Sequence, residues 1–355
     1  MQLTTNQIKE ALVYTGKNQQ ELFAEANYVR ENAVGKNVYF RGIIEFSNIC
    51  EKNCYYCGIR RGNEKVNRYR MTIKEIKDCL DFIHNSRYGS VVLQSGELTT
   101  PDAKVFLLSL VDYIHSKYPE MGVTLSCGEL DYDFLKKLMR AGAHRYLLRI
   151  ETSVPKLYKK LHPKDHSLKR RIECLKDLKK LGYQVGCGNM IGLPGQSLDD
   201  IVADLRFFQE MDFDMFGLGP YVIHEDTPLS TPVVQKWWKA NKQNIFNMTL
   251  NFIALLRITM PTCNIAAATA LDVFRQTGRV EALKAGANIL MPSVTPNKYR
   301  SDYLLYQGKP CVDGHARICA GCVVKKANAA GLNPVLGERG DAKHYSTRNT
   351  ASIAD

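Results

Sequence analysis

The sequence predicts an α/β fold, a (β/α)8 TIM-type barrel with N-terminal helices and a C-terminal extension. Eight β-rich runs alternate with amphipathic helical stretches, and such alternation implies parallel strands joined by right-handed crossovers. Glycine and polar residues follow nearly every predicted strand, as they do at the mouth of a (β/α)8 barrel. An open doubly wound sheet stays as the alternative, because alternation does not show closure.

The elements divide the chain into an N-terminal helical cap (1–35), a barrel (36–305) and a C-terminal extension (306–355). The predicted strands are Val38–Phe46, Ser90–Gln94, Gly122–Leu125, Tyr146–Ile150, Gln184–Asn189, Met215–Leu218, Asn264–Ala267 and Asn288–Leu290. The predicted barrel helices are Ile73–Asn85, Ala103–Lys117, Tyr132–Ala141, Leu168–Leu181, Leu198–Met211, Asn244–Thr259 and Val280–Ala285. Residues 331–355 are polar and glycine-bearing, which predicts a loosely packed tail.

Capping patterns support the boundaries of these helices. Thr72 with Glu75 and Ser197 with Asp200 match the capping box at a helix start. Gly142 and Gly182 follow two predicted helices, at the position where glycine often ends a helix.

The composition is that of a globular protein, with 355 residues, 45% hydrophobic content and a net charge of +12. The sequence has neither an apolar run of membrane-spanning length nor a signal-peptide pattern at Met1, so we expect a cytoplasmic protein without membrane contact. The basic residues are spread along the chain without a nucleic-acid-binding motif, and a solvated surface therefore explains them better than DNA or RNA binding. An acidic partner stays as the second explanation of the charge.

Three cysteines with C-x3-C-x2-C spacing, Cys50, Cys54 and Cys57, directly follow the first predicted strand. Three thiolates are one short of a closed site, so a metal or iron–sulfur cluster held by them keeps one position for an outside ligand. This spacing also fits one face of a helix, and the last two cysteines match a redox C-x-x-C. The polar residues between the cysteines favour a loop with an open metal or cluster site.

A second group near the C-terminus comprises Cys311, Cys319 and Cys322, with His315 as a conceivable fourth ligand. Ligand type and spacing favour an auxiliary iron–sulfur cluster, 2Fe–2S or 4Fe–4S, while a structural zinc ion and unligated thiols stay as alternatives. The other five cysteines stand singly in apolar contexts, which predicts core positions for them.

The cysteine motif, with Tyr56 before its last cysteine, resembles that of the radical S-adenosylmethionine (SAM) superfamily, and Ser95-Gly96-Glu97 resembles its loop for the SAM amino group. The chain from about 36 to 325 is most similar to the HydE family of FeFe-hydrogenase maturases, with biotin synthase and methylornithine synthase as relatives. The similar blocks include Ile44–Cys50, Tyr56–Arg61, Arg68–Met71, Val92–Glu97, Arg145–Arg149, Ile191–Gln196 and Asp212–Met215.

The resemblance implies a radical SAM enzyme whose 4Fe–4S cluster is held by Cys50, Cys54 and Cys57. It implies SAM contacts from Glu97 to the amino group, Arg171 to the carboxylate and Glu151 to the ribose. The remaining implied SAM-binding residues are Ser95 and Gly96 of the amino-group loop, and Tyr56, Met190 and Ile191 around the adenine.

For the HydE family the implied substrate is a small iron–cysteine complex with carbonyl and cyanide ligands, supplied by a partner maturase. Arg149 is implied as both a catalytic and a substrate-binding residue, and the other pocket positions are Thr124, Ser126 and Thr269. An electron donor such as flavodoxin or ferredoxin is implied as well. Ile150 and Ala268 depart from residues found in some HydE sequences, so a relative acting on another small molecule stays as an alternative, as does an iron–sulfur scaffold or electron carrier without SAM chemistry.

Overall fold

The computed structural model of this chain describes residues 3–312 and 316–351, with the side chains of 316–320 and 349–351 excepted. The strands are β1 Asn37–Ser47, β2 Ser90–Ser95, β3 Gly122–Ser126, β4 Arg145–Leu147, β5 Gln184–Cys187, β6 Met190–Ile191, β7 Met215–Phe216, β8 Gly219–Pro220, β9 Asn264–Ile265, β10 Ile289–Leu290 and β11 Asn333–Val335.

Helices cover the strands and extend beyond them at both ends of the chain. They are α1 Thr5–Leu12, α2 Gly16–Val34, α3 Ile73–Asn85, α4 Pro101–Lys117, α5 Tyr132–Arg140, α6 Pro155–Leu161, α7 Leu168–Lys180, α8 Leu198–Met211, α9 Pro232–Thr259, α10 Gly278–Lys284, α11 Asn297–Arg300, α12 Ala316–Ala329 and α13 Lys343–Ala351, with a 3-10 helix Thr269–Val273 before α10. None of the helices in the described part of the chain combines the length and apolar character needed to cross a bilayer.

Eight parallel strands form the barrel in the order β10-β1-β2-β3-β4-β5-β7-β9. A parallel bridge between Ala266, directly after β9, and Ile289 in β10 closes the ring. The short strands β6 and β8 pair with each other just beyond β5 and β7. The predicted (β/α)8 barrel is therefore confirmed, and the alternative of an open sheet is wrong.

All eight predicted strands exist, but the last five are shorter than predicted. The predicted run Met215–Leu218 contains only the two-residue strand β7, because the chain leaves the ladder at Gly217 before pairing again in β8. Helix α9 begins at Pro232, well before the predicted start at Asn244, with Thr231 as its N-cap. The capping boxes at Thr72 and Ser197 are present as predicted.

The segment Arg339–Ala342 closes the end of the barrel where the strands begin. The carbonyl oxygen of Arg339 accepts from Ser90 Oγ (2.7 Å) and Arg145 Nη1 (3.0 Å). The carbonyl oxygen of Gly340 accepts from Arg41 Nη2 at 3.0 Å. We call Arg339–Ala342 the floor segment.

The floor segment and β11 correct the predicted loose tail for the residues they cover, while residues 352–355 of that tail lie outside the described residues. Ala342 is almost fully buried, and its backbone N–H donates to Gln184 Oε1 at 2.7 Å. In addition, β11 pairs in parallel with the start of β1. The prediction failed because the partners of this polar segment are buried side chains at strand starts, far away in the sequence.

Candidate active site

The cysteine loop 50–57 follows β1 at the mouth of the barrel, and neighbouring segments fix it through backbone hydrogen bonds. Glu51 N–H donates to the carbonyl oxygen of Glu97 at 2.7 Å, which ties the loop to the end of β2. Tyr55 N–H donates to the carbonyl oxygen of Leu161 at 2.9 Å, which ties it to the end of α6. The loop is therefore a defined structure between two barrel units, and the alternative of a helix is wrong.

Arg68 organises the segment after the cysteines and was not assigned a role from the sequence. Its guanidinium donates to the carbonyl oxygens of Asn48 (2.9 Å), Ile59 (2.8 Å), Arg60 (2.6 Å) and Asn63 (3.1 Å). A guanidinium carries five donors, and here it satisfies carbonyl groups on both sides of the cysteine loop. In the sequence, Arg68 was noted only as part of Arg68–Met71, one of the blocks that resemble the HydE family.

The thiols of Cys50, Cys54 and Cys57 are half-buried and unpaired by disulfides. Burial raises the pKa of all three, that of Cys54 to about 12. Such thiols stay protonated at neutral pH, so a metal that binds them must displace protons. Three soft sulfur donors on one short loop fit an iron–sulfur cluster with one open iron position.

Gly96 allows the end of β2 to lie directly against the cysteine loop. A Cβ atom at this position would lie 2.3 Å from the carbonyl oxygen of Ile49 and 2.8 Å from Cys50 Cβ. The next residue, Glu97, donates its backbone N–H to Cys50 Sγ at 3.4 Å. The predicted Ser95-Gly96-Glu97 loop and the cysteine loop therefore form one continuous surface.

Four charged residues beside the thiols form a network in which Glu97 is buried and the other three are partly buried. We call them the charge quartet: Lys52, Glu97, Glu129 and Arg171. Arg171 Nη1 lies 3.2 Å from Glu97 Oε2 and 2.8 Å from Glu129 Oε1. Lys52 Nζ lies 3.1 Å from Glu97 Oε1 and 3.4 Å from Glu129 Oε2. The structure thus brings Glu97 and Arg171 together as predicted, and adds Lys52 and Glu129.

Mutual attraction keeps Glu129 and Arg171 of the charge quartet ionised. Burial alone would lower the pKa of Arg171, but Glu97 and Glu129 raise it well above its ordinary value. Burial would raise the pKa of Glu129, but Arg171 and Lys52 hold it below its ordinary value. Charges of both signs therefore stand ready at the mouth, next to the thiols.

Arg149 and Glu151 form an ion pair at the end of β4. Arg149 Nη2 donates to Glu151 Oε2 at 2.7 Å and to the carbonyl oxygen of Asn189 at 3.0 Å. Glu151 has a φ of 63°, a left-handed conformation that non-glycine residues seldom adopt. Such strain persists where the surroundings fix it, and it clusters at functional sites.

Asp204 supports this pair from beneath and was not predicted as a site residue. Its fully buried carboxyl accepts from Ser153 N–H (2.6 Å), Thr152 Oγ1 (3.2 Å) and Asn189 Nδ2 (3.0 Å). Burial raises the pKa of Asp204 to about 6, although these donors oppose the rise. Thr152 and Ser153 follow β4, whereas Asn189 follows β5. Because the Asp204 carboxyl bonds to residues of both segments, it fixes the ends of β4 and β5 relative to each other.

Tyr56 packs on a small apolar cluster at the mouth that contains Met190. Its hydroxyl lies 3.4 Å from His162 Nε2, and the two rings meet edge to face. Ile191 is fully buried in the neighbouring main core. Of the three residues predicted around an adenine, Tyr56 and Met190 thus pack together next to the cysteine loop, whereas the side chain of Ile191 belongs to the main core.

The predicted pocket residues Thr124, Ser126 and Thr269 lie near strand ends. Thr124 is almost fully buried, and its hydroxyl has no hydrogen-bond partner among the described residues. Ser126 ends β3, and Thr269 begins the 3-10 helix, close to Tyr306. A purely structural role for Thr124 would require its hydroxyl to bond to the backbone, and the described residues contain no such hydrogen bond.

The C-terminal cysteine group is described only in part. Cys311 has a φ of 65°, and Cys322 lies on α12. Burial would lower the pKa of Arg279, but the attraction of Asp272 opposes this effect and the pKa is raised. Cys311 and Cys322 raise this pKa by smaller amounts, so both cysteines lie near the Arg279 guanidinium. His315 and the side chain of Cys319 lie outside the described residues, so the auxiliary cluster stays a prediction.

A closed parallel barrel with an open three-thiol loop after its first strand defines a radical SAM enzyme, and the chain belongs to the radical SAM superfamily, whose family model matches residues 44–208. This superfamily implies a 4Fe–4S cluster and SAM as cofactors.

Among individual proteins, the chain is 43% identical over 336 residues to the FeFe hydrogenase maturase subunit HydE of Thermotoga maritima, covering 94% of this chain and 92% of that protein. It is 28% identical to 3-methylornithine synthase of Methanosarcina acetivorans, over 94% of this chain and 91% of that protein. The crystal structure of methylornithine synthase (PylB) superposes with a TM-score of 0.78 at 26% identity, covering 95% of each chain. The predicted family and the predicted relationship to HydE are confirmed.

Proposed function

We propose that this enzyme is of the HydE type and acts in assembly of the di-iron subcluster of FeFe hydrogenase. Its substrate in this proposal is a small iron–cysteine complex with carbonyl and cyanide ligands, supplied by a partner maturase. The observation that carries the proposal is the 43% identity to HydE of T. maritima over nearly the whole of both chains. The charge quartet beside the thiol loop supports the SAM-binding part of it.

Cys50, Cys54 and Cys57 hold the 4Fe–4S cluster in this proposal, and the fourth iron stays open to SAM. When bound, the cluster and SAM supply a one-electron reductive cleavage that yields methionine and a 5′-deoxyadenosyl radical. The protein contributes orientation and exclusion of water, because a primary carbon radical reacts with stray hydrogen donors. The hydrogen bond from Glu97 N–H to Cys50 Sγ fits a sulfur that carries negative charge.

The charge quartet suits the amino-acid end of SAM. Glu97 accepts the ammonium group, and Arg171 binds the carboxylate; both charge-assisted contacts replace part of the direct Arg171–Glu97 bond. Lys52 and Glu129 then keep the network neutral, since each offers the opposite charge to one of the two SAM-binding residues. A zwitterion enters this network without leaving an unpaired buried charge.

The other cofactor contacts in this proposal are those that the resemblance to the family implies. Glu151 binds the ribose hydroxyls, while Tyr56, Met190 and Ile191 line the adenine. Ser95 completes the β2 end, where its hydroxyl donates to the carbonyl oxygen of Gly96 at 2.7 Å.

Arg149 binds the carboxylate of the substrate in this proposal, with Thr124, Ser126 and Thr269 as the other pocket residues. Arg149 Nε and Thr124 Oγ1 are buried polar atoms without partners in the described part of the chain. Buried polar groups are costly unless they are bonded, so an anionic ligand at these atoms would satisfy them.

The decisive experiment uses the anaerobically reconstituted enzyme with SAM, a strong reductant and the iron–cysteine complex. We expect formation of 5′-deoxyadenosine together with loss of the cysteine from the complex. The Cys54→Ala variant, which lacks one proposed ligand, serves as the inactive control. SAM cleavage without turnover of the complex would instead favour another small-molecule substrate, and no cleavage at all would favour an iron–sulfur scaffold.

An acidic electron donor such as flavodoxin or ferredoxin fits the surface next to the cysteine loop. Lys156, Lys159, Lys160, Lys164 and Lys169 are exposed on α6, α7 and the segment between them, and none takes part in an ion pair among the described residues. Complementary charge accelerates association by roughly 10- to 1,000-fold and is screened by salt. We call these five residues the lysine surface.

Reversing charge on the lysine surface should slow electron delivery by a protein donor. For the double variant Lys159→Glu/Lys160→Glu we expect about tenfold slower reduction of the cluster by flavodoxin at low ionic strength, measured by stopped-flow absorbance. The difference from the parent should shrink at high salt, and reduction by dithionite should be unchanged. The matched control is Lys136→Glu/Lys137→Glu on α5; equal slowing in both double variants would contradict the assignment of this surface.

A further inference from the structure

His166 lies against the cysteine loop and has no role in the function described above. It stands between α6 and α7, and its side chain is 4% exposed. Its Nδ1 atom lies 3.9 Å from Cys54 Sγ, within reach of a hydrogen bond to sulfur. Its Nε2 atom lies 3.3 Å from the backbone nitrogen of Asn53.

The contact with Asn53 determines which ring nitrogen of His166 carries the proton. A backbone N–H is always a donor, so Nε2 must accept from Asn53. In a neutral imidazole whose Nε2 accepts, the proton is on Nδ1. The carboxylate of Asp165 does not reverse this assignment, because its oxygen is 3.8 Å from Nε2, beyond hydrogen-bond distance. The Nδ1–H group therefore points to Cys54 Sγ.

A mononuclear metal site is the competing explanation, because ligand atoms of Cys54, His162 and His166 lie within 4.8 Å of one another. The hydrogen bonds argue against it. His162 Nδ1 lies 2.9 Å from the carbonyl oxygen of Tyr158, which can only accept, so Nε2 keeps the lone pair and accepts from the Tyr56 hydroxyl. The lone pair of each histidine therefore accepts a hydrogen bond from the protein and is not free to bind a metal ion.

We propose that His166 is a positioning residue that donates an N–H···S hydrogen bond to Cys54 and raises the reduction potential of the cluster. The inference rests on the proposed function, in which Cys54 is a cluster ligand. Reduction adds one negative charge that the cluster shares with its cysteine sulfurs, and hydrogen bonds to those sulfurs stabilise the reduced form more than the oxidised form. A higher potential makes the cluster easier to reduce by a protein donor.

The test compares His166→Phe, which keeps a flat ring without nitrogen, with His166→Asn, whose amide N–H can take the place of Nδ1–H. The cluster of each reconstituted protein is titrated electrochemically and followed by EPR. We expect the reduced-to-oxidised ratio of His166→Phe at a fixed potential to fall about tenfold, equivalent to a midpoint lower by about 59 mV for one electron. His166→Asn should stay within about threefold of the parent.

The matched control is His84→Phe, which changes an exposed histidine on α3 and should leave the midpoint unchanged. A midpoint in His166→Phe equal to that of the parent, with intact iron and sulfide content, would overturn the inference. Stoichiometric Zn²⁺ binding that is lost in both His162→Phe and His166→Phe, with Cys50→Ala unaffected, would overturn it in favour of the mononuclear site. If Cys54→Ala retains a full cluster, the proposed function fails instead, and that outcome is distinct from an unchanged midpoint.

Discussion

Replacing Arg171 with alanine should weaken SAM binding about 100-fold, because the variant loses the cation proposed for the SAM carboxylate. Truncating one partner of a buried, hydrogen-bonded charge pair costs about 2 to 5 kcal/mol, and about 2.7 kcal/mol corresponds to 100-fold. The change also leaves Glu97 and Glu129 with Lys52 as their remaining cationic partner. Calorimetric titration of the reconstituted enzyme with SAM measures the affinity, and thermal unfolding measures the accompanying loss of stability.

The neighbouring residue offers a matched control for this change. Arg170 is partly exposed and lies 3.9 Å from the carboxylate of Asp177, an exposed type of pair worth about 0 to 1 kcal/mol. Arg170→Ala should therefore bind SAM within about threefold of the parent. An Arg171→Lys variant should recover only part of the affinity, because an ammonium group lacks the planar fork that binds a carboxylate through two bonds. Equal affinities of Arg170→Ala and Arg171→Ala would refute the role given to Arg171.

Deleting residues 337–355 should prevent the barrel from reaching a stable folded state. The deletion removes the floor segment, whose carbonyl oxygens accept from Arg41 and Arg145. Both side chains are buried, and a buried charge that loses its partner costs about 3 to 5 kcal/mol. Since domains of this kind are stable by only about 5 to 15 kcal/mol, we expect loss of cooperative unfolding in circular dichroism and calorimetry.

Point variants separate the backbone contribution of the floor segment from its side chains. Arg339→Ala retains the acceptor carbonyl and removes only exposed contacts to Pro119 and Glu120, so its loss of stability should stay below about 1 kcal/mol.

Asp341 makes the stability of the floor segment depend on pH. Burial opposes ionisation of Asp341, but His144 and Arg145 hold its pKa well below the ordinary value. Its contribution to stability is therefore present above the unfolded-state pKa of about 3.9 and is lost as the pH falls below it. A deletion variant as stable as the parent would contradict this account.

The sequence was most informative where local patterns decide structure. Strand–helix alternation, capping boxes at Thr72 and Ser197, and the spacing of Cys50, Cys54 and Cys57 each act over a few residues. They predicted the eight strand–helix units and the position of the cysteine loop after β1, while closure of the barrel became visible only in the structure. Helix α9 was the main failure of the sequence prediction, because Trp238 is its single buried side chain before Ile245 and the apolar pattern is therefore weak near its start at Thr231 and Pro232.

Long-range partnerships were beyond the sequence. Lys52 and Glu129 are 77 residues apart, and nothing in either segment indicates that their side chains meet. The floor segment bonds Ser90 from 249 residues away, so its polar composition was mistaken for looseness. Arg171 and Glu97 were assigned only through family resemblance, because a guanidinium on a helix start is equally typical of a solvated surface.

The left-handed backbone at Glu151 has a consequence for engineering this barrel. A residue with a φ of 63° costs free energy that glycine would not, so Glu151→Gly should relax the backbone while removing the carboxylate. With the ribose contact proposed for Glu151, directed evolution for thermal stability would therefore favour changes at this position that lower turnover. If selection for activity instead retains glutamate at position 151, the strained backbone there is a direct case of stability given up for activity.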